Sequence, residues 1–179
     1  GMGCRQNIQK VVMTTRKKTK DQKKADKRRV FLVVVDDSKE LHQALYFACK
    51  RAISVNGRVA LLRCIGQAEF QHWIGVGELM VEEAREEAEQ LLRTNSEWVH
   101  ELTGEYPIVH LREGDPKSEV IDLIDNEPEI SILVLGANVY DENTGPLINF
   151  LTTRGASQCR VPITIVPGHL SDEDIDNVS

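Results

Sequence analysis

The sequence predicts an α/β fold: a five-stranded parallel sheet with helices on both faces. Three observations predict it. Five short apolar, β-branched runs alternate with four stretches of helical periodicity. The first and fourth runs, Val30–Val35 and Ile130–Leu135, are apolar without alternation, as in strands buried on both faces of a parallel sheet. And an order of β-α-β-α-β-α-β-α-β demands crossover connections, which lay helices over a parallel sheet.

The elements follow in order. Arg29-Val-Phe-Leu-Val-Val-Val35 is the first strand, stopped by Asp36-Asp37-Ser38, residue types that also cap helices. Leu41, Leu45, Ala48 and Ala52 then recur at helical spacing, with Ala44 and Ile53 beside them, and Asn56-Gly57 closes that helix as a left-handed C-cap would. Arg58–Ile65 is the second strand. A loop from Gly66 to about Gly77 carries Phe70, Trp73 and Ile74. A long helix runs from about Glu78 to Leu102, with Leu79, Ala84, Ala88, Leu91 and Leu92 on its apolar side and its glutamates toward water.

Gly104 ends that helix, and Pro107–Arg112 is the third strand. Asp115 is placed to cap the next helix, with Pro116 at its first position and Val120, Ile121 and Ile124 on its buried side. Ile130–Leu135 is the fourth strand, Leu147–Cys159 reads as a helix, and Val161–Val166 is the fifth strand, stopped by Pro167-Gly168.

Composition bounds what this domain does. With 179 residues the chain makes about one domain, and 41% apolar with 28% charged residues is ordinary for a globular protein. No apolar run approaches the ~20 residues of a membrane span, and the N-terminal stretch lacks an apolar signal core, so a cytoplasmic protein is expected. Four cysteines without a CxxC and five scattered histidines give no zinc or disulfide pattern. Cys49 and Cys64 read as small core residues.

Charge is uneven. Residues 16–29 hold nine Lys or Arg against Asp21 and Asp26, a net of +7, on a chain of net −6. We read residues 1–28 as a basic, disordered leader, 29–168 as the folded domain, and 169–179 as an acidic tail built on Asp172, Glu173, Asp174 and Asp176.

In open parallel sheets ligands bind beyond the carboxyl ends of the strands, where strand order reverses. The two most apolar strands are central, so the crevice is expected between Asp36 and Gly136. Asp36 is either an acceptor for an amino or hydroxyl group or a helix cap. The segment Gly136–Gly145 is the one plausible anion loop, but its glycines stand only at its ends, and Asp141 and Glu142 between them repel phosphate. Asp37, Ser38 and His42 are close in sequence, yet a cap followed by a helix accounts for them, and no arrangement argues for catalysis.

These residues together resemble the universal stress protein family. Phe31-Leu-Val-Val-Val-Asp36-Asp-Ser38 resembles that family's first strand and V-D-x-S turn, and Arg58–Ile65 its second strand. Arg112-Glu-Gly-Asp-Pro116 resembles its G-D-P turn, and Ile132–Gly136 with Arg160–Pro167 its last two strands. The match spans about Arg29 to Gly168. It implies sheet order 3-2-1-4-5, homodimers paired through the last strand, and in some members ATP held by the aspartate after strand one and a G-x2-G-x9-G-[S/T] loop. Laid on this sequence, Gly136 matches the first glycine, Val139 stands for the second, Asn149 for the third and Phe150 for the Ser/Thr. One of four loop positions survives. By the resemblance, the nucleotide-site positions are Asp36, Asp37, Ile65, Gly114, Gly136, Asn138, Val139 and Asn149.

The expected function is therefore a non-enzymatic stress-response or signalling protein, a homodimer through Val161–Val166 with protein partners the sequence does not name. No cofactor is expected, and binding of ATP or another adenine nucleotide would be weak. The alternative is a nucleotide or small-ligand sensor at the Asp36/Gly136 crevice, with Asn138, Asn143 and Thr144 as ligand contacts. An enzyme acting on a nucleotide is a further reading by fold analogy alone. Membrane attachment is not expected, and nucleic-acid binding by the leader is not favoured.

Overall fold

A computed structural model describes residues 28–66, 78–139 and 145–179. The leader up to Lys27, the loop with Phe70, Trp73 and Ile74, the Leu79 side chain, and Asp141, Glu142, Asn143 and Thr144 lie outside the described residues.

The chain runs β1 (Val30–Val34), α1 (Leu41–Val55), β2 (Arg58–Ile65), α2 (Glu78–Thr103), β3 (Ile108–Glu113), α3 (Pro116–Asn126), β4 (Ile130–Ala137), α4 (Pro146–Thr152), β5 (Ile163–Pro167) and α5 (Asp172–Val178). The five strands form one parallel sheet in the order β3-β2-β1-β4-β5.

The unalternated β1 run is explained by its place at the sheet's centre. Phe31, Val33 and Val35 enter one core with α1, α2 and α5, while Val30 and Leu32 enter the other with α3 and α4. Leu32 and Val33 are both fully buried, on opposite faces. Cys49 and Cys64 sit in these cores, where burial pushes their thiols up to about 12 and about 11.

Local signals set most of the ends. Asn56 takes the left-handed conformation (φ 53°), and Gly57 N–H donates to Ala52 O at 2.7 Å while Asn56 N–H donates to Ile53 O at 3.3 Å, the paired bonds of a Schellman stop. Asp115 accepts from Lys117 N–H at 3.0 Å and Pro116 opens α3, as expected.

Several elements differ from the sequence reading. Ile53 points outward, 51% exposed, and Leu123 takes the buried place expected of Ile121 on α3. The helix expected over Leu147–Cys159 stops at Thr152. Gly155 N–H donates back to Phe150 O, and Thr153 Oγ1 donates to Asn149 O, so residues 153–158 continue as turns. The acidic tail is a helix. Ser171 and Asp174 form a reciprocal capping box, Ile175 is fully buried, and Leu170 joins the same core. Three acids in its first turn complement the helix dipole.

Candidate functional site

The sheet order puts the carboxyl ends of the strands in a row: Gly114 after β3, Ile65 at the end of β2, Asp36 after β1, Gly136 in β4 and Gly168 after β5. The chain builds outward from β1 to β3, then returns to β4 on the other side of β1. Strand order reverses there, so Asp36 and Gly136 stand at the carboxyl ends of the two strands on either side of the switch point, where open sheets of this kind bind ligands.

Asp36 is exposed and locally engaged. Its Oδ1 accepts from Ser38 N–H at 2.9 Å and from the Ser38 hydroxyl at 2.5 Å, an Asx turn. The expected helix-capping role of Asp36, Asp37 and Ser38 is not realised. A further turn through Lys39 and Glu40 intervenes, the N-cap is Glu40, and no side chain caps α1. Asp37 is exposed to water.

Gly136 faces the chain itself. A β-carbon there would lie 2.5 Å from the Glu40 carbonyl oxygen and 2.9 Å from Glu40 Cβ. Gly168 presses on the same residue, since its β-carbon would lie 2.6 Å from Glu40 Cγ. The Glu40 carbonyl also accepts the first α1 bond, from Ala44 N–H at 3.2 Å. Glu40 is thus wedged over the ends of β4 and β5, and helix packing accounts for the one loop glycine that the sequence retains. Sequence reasoning missed Glu40 and read Gly168 only as the stop of the fifth strand; their contact is long-range and leaves no local signal.

Asn138, Val139, Asn149 and Phe150 stand at or beside the other loop positions. Asn138 and Val139 are exposed, and among the described non-glycine residues only Asn56 has positive φ, so neither offers the turned backbone that glycines supply. Asn149 lies inside α4, its N–H donating to Gly145 O at 3.1 Å. Phe150, on α4, is half-buried against the core, and a β-carbon on Gly155 would lie 2.5 Å from its ring.

Ile65 and Gly114 hold each other. Gly114 N–H donates to Ile65 O at 2.9 Å, and Gly114 has φ 150° with Glu119 folded over it. Arg112 then ties Glu119 (3.6 Å) and Asp122 (3.2 Å). Both residues therefore have structural duties. Residues 36–40 carry Asp36, Asp37 and Glu40 against Lys39, a net of −2 just beyond the end of β1.

His42 belongs to a different arrangement. Its ring stacks on Trp98 at 4.7 Å, and its Nε2 lies 3.0 Å from Asp172 Oδ1. Tyr46 donates to Asp176 at 2.8 Å and Lys50 approaches the same carboxylate at 3.3 Å. This row fastens α5 to α1. Among the described residues no group of three His, Cys, Asp or Glu could hold a metal ion, and no helix is long and apolar enough to cross a membrane.

The comparisons agree with this fold. The family model described as the universal stress protein family matches residues 27–167. The structure of universal stress protein UspA from Lactobacillus plantarum superposes with a TM-score of 0.63 at 18% identity, over 77% of this chain and 97% of that one. A universal stress protein from Archaeoglobus fulgidus in complex with dAMP gives 0.57 at 15% identity, over 78% and 97%. One in complex with cAMP gives 0.54 at 13%, over 79% and 98%. No curated protein matches the sequence.

Proposed function

Because the chain belongs to the universal stress protein family, we propose that it is a cytoplasmic stress-response protein that works without catalysis. In this reading it is a homodimer, turns over no ATP, and acts through its surfaces on other proteins. The observation that carries the reading is Glu40 wedged against Gly136 and Gly168. It supports a crevice closed by the chain at the position where the family's phosphate loop begins. Phe150 packed against the core and the Asn149 N–H spent in α4 support the same conclusion.

The dimer reading rests on β5. Among the described residues it pairs with β4 alone, and Ile165 is 38% exposed on it. Leu133 N–H donates to Pro162 O at 3.0 Å and Ala137 O accepts from Gly168 N–H at 2.8 Å. In a parallel strand alternate residues face alternate neighbours, so Thr164 and Val166 face β4, while Ile163 and Ile165 present N–H and C=O outward. An uncharged open edge needs covering, and a second copy would cover it symmetrically.

A second reading, an adenine-nucleotide sensor, is favoured by the cAMP and dAMP complexes of similarly folded proteins and by the retention of Asp36. Mass spectrometry of small molecules released from the freshly purified, denatured protein separates the two. The surface-acting reading expects none in stoichiometric amount, and a stoichiometric nucleotide would replace it with the sensor.

A further inference from the structure

The edge of the sheet opposite β5 carries a groove that the proposed function does not use. It lies between α2 and β3 and has a volume of about 480 Å3. Leu92, Tyr106, Val109 and Leu111 supply its apolar surface, with Glu89 and Glu97 among its lining. Tyr106 and Val109 are 53% and 45% exposed. Glu89 and Arg93 are shared with a second groove of about 570 Å3, where Glu83, Glu86 and Glu87 also line the surface. The two grooves therefore form one track along α2. Arg93 is engaged within it, donating to Gln90 at 2.9 Å.

The described chain begins beside this track. Arg28 Nη1 lies 2.9 Å from Glu105 Oε2, next to Tyr106 and just beyond the last turn of α2. Residues 16–27 hold seven Lys or Arg and two Asp, a net of +5. Residues 78–103 hold eight Glu and two Arg, a net of −6. Lengths match as well: twelve extended residues reach ~40 Å, and a 26-residue helix is ~39 Å long.

We propose that the basic segment 16–27 docks in cis along α2, its run nearest Arg28 over the Tyr106/Val109/Leu111 groove and its remainder against Glu83, Glu86 and Glu87. Lysine suits such a track, since its aliphatic stem covers apolar surface while its ammonium reaches a carboxylate at the rim. Tethering at Arg28 makes the encounter intramolecular, so weak individual contacts suffice. Docking of this kind masks the leader's charge, holds it away from other polyanions and releases it as salt rises.

Zero-length carbodiimide cross-linking of the full-length protein, read by peptide mass spectrometry on a mixture of 14N and 15N copies, tests this. The expected result is same-copy links from Lys17–Lys27 to glutamates between Glu83 and Glu97. They should fall several-fold in about 0.5 M salt, where screening shortens to under roughly 5 Å. Links to the remaining Glu89 and Glu97 should also fall in the Glu83→Gln/Glu86→Gln/Glu87→Gln variant, with its circular dichroism unchanged. Links chiefly between copies, links equally to Asp172–Asp176, or no leader links would each overturn the proposal.

Discussion

The Glu40 carbonyl oxygen stands 2.5 Å from the place a β-carbon on Gly136 would take, closer than any such contact a folded chain tolerates. Gly136 is therefore a packing residue. Gly136→Ala is expected to destabilise the ligand-free protein by about 1–3 kcal/mol, the range for overpacked sites. Urea denaturation measures it. An unchanged midpoint would mean that Glu40 is not fixed over β4 and that the glycine serves something else.

Alternation along β5 decides which substitution tests the dimer. Thr164 faces β4, so Thr164→Pro would break the sheet itself. Ile165→Pro removes an outward N–H, where an edge strand tolerates proline. The variant is expected to keep its circular dichroism and sediment as a monomer, while the parent sediments as a dimer at tens of micromolar. A monomeric parent, or a dimer that survives in the folded variant, would count against this edge.

The C-terminal helix is part of the fold. Ile175→Ala is expected to cost about 2 kcal/mol, the low end for core truncation, because a terminal helix can undock instead of leaving a cavity. Hydrogen exchange in residues 172–178 should rise with it. Equal exchange in parent and variant would show that α5 contributes no docking energy.

His110, on β3, has its pKa lowered, first by burial and then by Arg112. The unfolded chain, with an ordinary histidine near 6.5, therefore takes up a proton first as pH falls. Its contribution to stability is complete above that value and is lost as pH drops through the lowered folded value. Stability should decline from pH 7 toward pH 5 with a smaller slope in His110→Gln than in the parent. Identical slopes in urea midpoints would refute this.

Much of the fold was legible in the sequence because its determinants are local. The β1 run, the Asn56-Gly57 stop and the Asp115-Pro116 start each carry their own physical signal, and each is found where it was read. Helix α5 was overlooked although Ser171 and Asp174 have capping-box spacing, because seven residues with few apolar neighbours make no stable helix unaided. Its stability comes from Ile175 and Leu170 packed into the core under α1, with His42, Tyr46 and Lys50, on a distant segment, fastening its outer side. The switch point between β1 and β4 was legible from the order of the strands. What fills it was not legible, since Glu40 meets Gly136 and Gly168 only after the sheet has assembled.

Titration of the purified protein with ATP by calorimetry asks whether a nucleotide can displace Glu40 from its place over Gly136 and Gly168. A chain-filled crevice predicts no binding tighter than about 1 mM, a free energy near −4 kcal/mol. Saturable heat with micromolar affinity would contradict it.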